Sequence, residues 1–371
     1  MNAGKPRFPL ARPSIGDDEV AAAVRVLRSG ALVQGAEVAR LEDAFRTLTG
    51  SAEAVAVANG TVAIELALRA LGVGPGDEVI VPAFSFIATA NAVENRGATP
   101  VFVDIKPDTF NIDPALAAAA VTPRTRVLLP VHEFGLCCDV DALTAIGARH
   151  NLVLVEDAAC AIGSLVKGRH AGSFGLMGTF SLHPRKIVTC GEGGVVITQD
   201  LALAEKLRCL RNHGIAPGSQ PASFVEAGTN ARLTDIQAAL ALPQIARLEA
   251  SITMRSELAS RYLAEIRHPG ILLPTIPEGV SPNWQTFHLL LAPDLDRDQA
   301  ISRLASDGIG SNFGAQCMPA QPYYKNKYGL DAARRFPNAW NAWRQGLALP
   351  MYEGLTPADV SLIARAINDL F

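Results

Sequence analysis

Seven short apolar runs, mostly β-branched and separated for much of their span by helical patterns, constrain this chain more than any other feature. They are Val55–Ala58, Glu78–Val81, Thr99–Val103, Val127–Val131, Leu152–Glu156, Gly178–Ser181 and Val195–Thr198. Most are continuously apolar rather than alternating, the pattern of a strand covered on both faces. Helical patterns lie between many of them, at Thr61–Leu71, Ser85–Arg96, Pro114–Ala120 and Val140–His150. This order predicts an α/β fold, a mainly parallel seven-stranded sheet flanked by helices. A composition of 49% apolar and 19% charged residues suits a sheet hidden on both sides. Two helices are expected ahead of the sheet, near Asp17–Arg28 and Glu37–Leu48, joined through Gly30–Gly35. After the sheet come Leu201–Arg211, a loop rich in Gly, Pro and Ser, and a long helix at Leu233–Leu248 with Asn230 as its cap. From about Ile252 helices mix with short strands such as Thr286–Leu291, which predicts a smaller C-terminal α+β domain. The expected division is a large domain at 1–250 and a small one at 251–371.

Several function classes fall away. The net charge of −3 provides no basic footprint for nucleic acid or an anionic membrane. No apolar stretch approaches the roughly 20 residues of a membrane helix, and the stretch Met1–Pro9 lacks the apolar centre of an export signal. The expectation is a cytoplasmic protein. Six cysteines occur without a Cys-x-x-Cys pair, so reduced thiols are expected. The seven histidines lack ligand spacing, and no metal site is expected.

In a parallel sheet ligands collect at the carboxyl ends of the strands. Asp157 ends one predicted strand, Ser181 ends another, and Asn59-Gly60-Thr61 opens a helix after a third. Lys186 stands five residues beyond Ser181, ahead of the turn Gly191-Glu-Gly-Gly194. A lone lysine in a glycine-rich loop is ordinarily a surface group. With Asp157 upstream, the pattern suits a lysine that forms a Schiff base with an aldehyde cofactor, its pKa lowered by desolvation. An aspartate that keeps a pyridine nitrogen protonated is the usual partner of pyridoxal phosphate. An acid after such a strand can also be a helix cap or a metal ligand. However, Glu156 would point to the opposite strand face, and no phosphate loop of the Gly-x-x-x-x-Gly-Lys type is present. Gly60 and Thr61 at a helix N-terminus, with Ser181 beside them, suit a phosphate, although a plain cap explains Asn59 equally well. Phe84 and Phe86 are either core or, for one of them, a stacking surface for a flat ring.

Taken in order, these segments resemble the DegT/StrS-type sugar aminotransferases, a fold-type-I pyridoxal-phosphate family. The resemblance runs through Pro-Ala-Phe-Ser-Phe-Ile-Ala-Thr at 82–89, Val-His-x-Phe-Gly at 131–135 and Glu-Asp-Ala-Ala at 156–159. It continues in Phe-Ser-Leu-His-Pro-Arg-Lys at 180–186, Arg-Asn-His-Gly at 211–214 and Asn-Ala-Arg-Leu at 230–233. It implies pyridoxal 5'-phosphate as cofactor, Lys186 as Schiff-base lysine and proton carrier, and Asp157 as the ring-nitrogen partner. It further implies Gly60, Thr61 and Ser181 as phosphate contacts and Phe86 as the stacking ring. Asn230 would be lent to the neighbouring subunit's site, which implies a homodimer with shared sites. Cys160 stands beside the cofactor where many relatives carry Gln or His. The implied activity moves an amino group from glutamate or glutamine to a keto-sugar, nucleotide-linked, in sugar biosynthesis. The alternatives are another pyridoxal-phosphate enzyme of the aminocyclitol or aromatic amine synthase type, or a non-catalytic regulator that binds the cofactor. Two departures fall on the substrate side: Thr229 replaces a common aromatic, and Gly-Ala-Gln-Cys-Met-Pro-Ala-Gln at 314–321 replaces a histidine-rich stretch of sugar-nucleotide members.

Overall fold

In a computed structural model, which describes residues 6–370, all seven expected strands join one sheet. The first five residues of the N-terminal stretch read for an export signal lie outside the described residues. In chain order the strands are β1 (Glu53–Val57), β2 (Glu78–Pro82), β3 (Thr99–Val103), β4 (Thr125–Leu128), β5 (Val153–Asp157), β6 (Met177–Ser181) and β7 (Gly194–Thr198). Their order across the sheet is β1-β7-β6-β5-β4-β2-β3. Only β7 runs against its neighbours, pairing antiparallel with both β1 and β6. The other pairs are parallel.

The period of two along a strand sends successive side chains to opposite faces. Val55 and Val57 of β1, with Val79 and Val81 of β2, enter one apolar core. Ala54 and Ala56 of β1 enter a second core on the other face, and Ile80 of β2 a third. Both faces are thus covered, which is why these strands read as unbroken apolar runs.

The helices that do the covering are α1 (Asp17–Ser29), α2 (Ala36–Thr49), α3 (Gly60–Ala70), α4 (Ala88–Asn95), α5 (Pro114–Ala119), α6 (Val140–His150), α7 (Leu201–Arg211) and α8 (Asp235–Ala246). Two boundaries differ from expectation. The pattern read as a helix from Ser85 starts only at α4, because Phe84–Ser85 pairs as a short strand with Gln316–Cys317. The long helix starts at Asp235, not Leu233. Its cap is Thr234, whose hydroxyl accepts from the Gln237 N–H while Gln237 reaches back to the Thr234 N–H. Asn230 is therefore no cap. It sits in a bridge with Asn212, and the following Arg232 bridges Val57.

The C-terminal third builds its own core. Helix α9 (Leu248–Glu265), which crosses residue 250, packs with a three-stranded sheet of β8 (Ile271–Leu272), β9 (Phe287–Leu291) and β10 (Gly346–Leu349). The segment from Ala315 to Ala342 departs from that pattern: Cys317, Met318, Tyr324, Phe336 and Ala339 are buried in the core of the large sheet.

Candidate active site

The carboxyl ends of β4, β5 and β6 bring together residues that are far apart in sequence. Asp157 ends β5 and is 3% exposed. Its Oδ2 accepts from the Thr89 hydroxyl at 2.8 Å and its Oδ1 from the Ala159 N–H at 3.1 Å. Burial pushes this carboxyl above its usual range, and the bonds from Thr89 and Ala159 and the positive charge of Lys186 offset part of that rise. A cation placed against Asp157 would offset more of it. Glu156, one residue earlier, faces the other way, as expected. It accepts from His132 Nε2 at 2.8 Å and from the backbone N–H of Gly172, Phe174 and Gly175. The Cys138 N–H donates to His132 Nδ1, so Nε2 carries the ring proton that Glu156 receives.

Lys186 extends from the loop after β6, partly buried, and its Nζ lies 2.9 Å from Cys160 Sγ. Burial draws its amine down, but Cys160, Asp157 and Glu133 outweigh burial and hold it above the usual lysine range. The expectation of a lysine made less basic by desolvation is therefore reversed here: burial is the largest single influence, but Cys160, followed by Asp157 and Glu133, together exceed it. Burial pushes the Cys160 thiol up, and the charge of Lys186 and the bond from it oppose that rise.

A cradle lies at the start of α3. Asn59 Oδ1 accepts from the Val62 N–H at 2.9 Å, which leaves the N–H groups of the first turn ahead of it without intrahelical partners. A Cβ on Gly60 would sit 2.8 Å from Ser181 Cβ, and one on Gly194 2.4 Å from the Asn59 carbonyl oxygen. Only glycine lets the three segments meet, and it brings the free N–H groups of the first turn beside the Ser181 hydroxyl, a donor set suited to a phosphate. Phe86 is 61% exposed, whereas Phe84 is fully buried among Phe110, Phe134 and His288. The structure thus separates the two aromatics: one is core, and the other is free to cover a flat ring. An anion cradle, a buried acid for a ring nitrogen, a free aromatic face and a lysine amine fit pyridoxal phosphate.

Of the residues named from sequence, Lys186, Asp157 and Cys160 form one cluster, and Gly60 and Ser181 form the cradle with Thr61 in the same helix turn. Asn230 is exposed and lies outside that cluster, in a segment bonded to the end of β1 through Ala58 and Ala231. Four residues escaped the sequence reading. Thr89, in the first turn of α4, orients Asp157, and it closes the motif that starts at Pro82. Asn283 donates to the Cys160 and Ile162 carbonyls, and Gln285 accepts from the Ile187 N–H and donates to the Arg185 carbonyl. Pro-Asn-Trp-Gln at 282–285 offered no local signal beyond its polarity. The fourth is Glu133, 5% exposed, one residue after His132.

Residues 13–368 match the model of the DegT/DnrJ/EryC1/StrS aminotransferase family. The chain is 37% identical over 377 aligned residues to the spore coat polysaccharide biosynthesis protein SpsC of Bacillus subtilis (strain 168), covering 98% of this chain and 97% of that one. Among solved structures it is similar to S. venezuelae DesV in complex with a ketimine intermediate, with 37% identity, a TM-score of 0.90 and 98% of each chain covered. It is also similar to Spr1654 of Streptococcus pneumoniae in its PMP form, with 30% identity, a TM-score of 0.93 and coverage of 98% and 97%. A PLP form of Spr1654 aligns with a TM-score of 0.92.

Proposed function

The chain belongs to the DegT/DnrJ/EryC1/StrS aminotransferase family, and from that premise we propose that it moves an amino group from glutamate or glutamine to a keto-sugar, nucleotide-linked, in sites shared by two copies of the chain. As a member it is a transaminase that depends on pyridoxal 5'-phosphate. When bound, that cofactor supplies an electron sink for the negative charge that develops beside the transferred nitrogen.

The residues take these parts. Lys186 holds the cofactor's aldehyde carbon and, once released, carries a proton to and from the donor's α-carbon. Asp157, oriented by Thr89, holds a proton at the ring nitrogen. Gly60, Thr61 and Ser181 bind the phosphate at the start of α3. Phe86 covers the ring face, and Cys160 contacts the cofactor beside the lysine. Asn230 completes the phosphate site of the second subunit, which its exposure supports. The same reading divides the chain into a cofactor-binding unit at 1–250 and a C-terminal unit at 251–371, supported by the separate core around α9. It places the protein in the cytoplasm, in keeping with six unpaired cysteines.

The observation that carries this reading is the meeting of Lys186 with Cys160 at 2.9 Å in a cluster that also holds Asp157. The test is a visible spectrum of the protein loaded with pyridoxal phosphate, followed by borohydride reduction and peptide mapping. The expected result is a visible band that bleaches with glutamate or glutamine, returns with a keto-sugar acceptor, and leaves the reduced label on Lys186. A label on any other lysine would overturn the assignment.

A further inference from the structure

Residues 182–193, the loop between β6 and β7 that carries Lys186, form no regular element, so their backbone groups need partners from elsewhere. The Lys186 N–H turns back to the His183 carbonyl at 2.8 Å. The groups on either side of the lysine go to one side chain. The Ile187 N–H donates to Gln285 Oε1 at 3.1 Å, and Gln285 Nε2 donates to the Arg185 carbonyl. A single planar amide thus spans the lysine as the peptide of a neighbouring strand would, accepting on one side and donating on the other. Gln285 is 8% exposed and Ile187 5%, so little water reaches the bond between them to replace it.

The strip that supplies Gln285 is built with strain, and the strain has a direction. Asn283 has no exposed surface, and its Oδ1 accepts from the Gln285 N–H at 2.8 Å, a turn closed by a side chain. Its Nδ2 donates to the carbonyls of Cys160 and Ile162 at 2.9 and 2.8 Å, and its N–H donates to the Ser164 hydroxyl at 3.1 Å. Between the two amides Trp284 stands at φ 53°, in the left-handed region that a bulky side chain rarely adopts. Its carbonyl accepts from Arg255 Nη1 at 3.1 Å, and the same nitrogen donates to the Met351 carbonyl at 3.2 Å. Arg255 is 5% exposed. A buried guanidinium set on carbonyls and a tryptophan in a strained conformation are each unfavourable alone. Such features persist where their surroundings fix them, and here they fix the heading of Gln285.

A lysine works at the end of a flexible stem, so any looseness in its backbone adds to that of its side chain. A misplacement of about 1 Å at a reacting group lowers a rate by about a hundredfold. We propose that Gln285 is a positioning residue for Lys186. By holding the peptide groups before and after the lysine it fixes the Cα, and the amine then moves by side-chain rotation alone. Asn283 aims the glutamine, and Arg255 keeps the turn between them in its left-handed form. The same asparagine holds the turn of Cys160, whose Sγ lies 2.9 Å from the amine. Amine and thiol therefore take their places from one short strip of chain. The proposal goes beyond the reading of Lys186 given above, and it rests on that reading.

The experiment compares the full-length wild type with Gln285→Ala and with the isosteric Gln285→Glu. The first readout uses cofactor-free protein. Hydrogen exchange at the Ile187 N–H is expected to be at least about tenfold faster in Gln285→Ala, where its acceptor is lost. The second uses protein saturated with pyridoxal phosphate, so that loading does not enter the rate. The visible band is expected to form in Gln285→Ala, and its bleaching, by whichever of glutamate or glutamine bleaches the wild type, to slow at least about tenfold. The isotope effect of an α-deuterated donor is expected to be at least as large as the wild type's, because proton transfer by the lysine is the step that suffers. In Gln285→Glu a carboxylic acid still donates to the Arg185 carbonyl, whereas a carboxylate does not. The bleaching rate of that variant relative to the wild type is therefore expected to fall as pH rises, and this profile decides the matter if Gln285→Ala does not fold. Bleaching at the wild-type rate in Gln285→Ala, slower bleaching with a smaller isotope effect, or a rate ratio in Gln285→Glu that is constant across pH would overturn the proposal alone. No visible band in the loaded wild type would overturn the reading of Lys186 and this proposal with it.

Discussion

The residues of the site divide into those set by their own chain neighbours and those set by distant partners. Lys186, Asp157 and Cys160 could be named from sequence because each sits in a short motif with a known company of neighbours. Thr89 and Glu133 could not, since their roles arise from contacts across the sheet edge. Asp157→Asn tests the first group. The amide can still accept from Thr89 but cannot hold a ring proton, so turnover is expected to fall by at least about a hundredfold with loading intact. Stopped-flow rates beside a cofactor titration check it. The second group makes a prediction about stability. Burial raises the Glu133 carboxyl from 4.5 to about 7 in the folded chain. Between these values the folded state keeps a proton that the unfolded state has released, so stability falls as pH rises. Below about 4.5 both states hold the proton and the effect vanishes. Above about 7 the penalty is complete, on the order of 3 kcal/mol. Glu133→Gln cannot ionise. In the cofactor-free protein its melting temperature is expected to exceed the wild type's above neutrality and to match it in acid. A constant difference across pH would contradict this.

Elements were easiest to read where burial is two-sided. All seven strands of the sheet were legible because helices cover both faces and no polar alternation interrupts the runs. Boundaries failed where a partner lies far along the chain. Ser85 reads locally as the start of a helix and joins Phe84 in a strand only through Gln316–Cys317. The start of α8 was within reach, because Thr234-x-x-Gln237 is a capping box in plain sequence. Residues 314–321, read as a change on the substrate side, are anchored through Cys317 and Met318 in the core, so that difference carries a packing role as well. At α3, helix propensity and packing make opposite predictions for Gly60→Ala. Alanine within a helix is ordinarily worth up to about 1 kcal/mol over glycine. Here its Cβ would stand 2.8 Å from Ser181 Cβ. We expect packing to prevail, with a loss of about 1–3 kcal/mol and cofactor affinity weakened at least about tenfold as the cradle opens. Thermal melts with and without pyridoxal phosphate separate the two effects, and an unchanged affinity would remove the phosphate from this helix turn.

At the scale of the whole molecule, the shared-site reading predicts complementation. Lys186→Ala and Asn230→Ala damage different subunits' contributions to one site. Mixed, unfolded together and refolded, two such inactive proteins form heterodimers in which one site of two is intact. Activity is expected to recover to about a quarter of the wild type's, half of the dimers being mixed. No recovery would mean that Asn230 serves its own subunit. The hydrogen bonds of Asn283 and Gln285 have a further consequence. The first is tied to the turn that carries the cysteine, the second to the residues on either side of the lysine, and both belong to the strip of chain leading into β9. Residues 283–285 thus hold the reactive amine from two sides. A ligand that displaced this strip would therefore disturb the reactive amine without touching it.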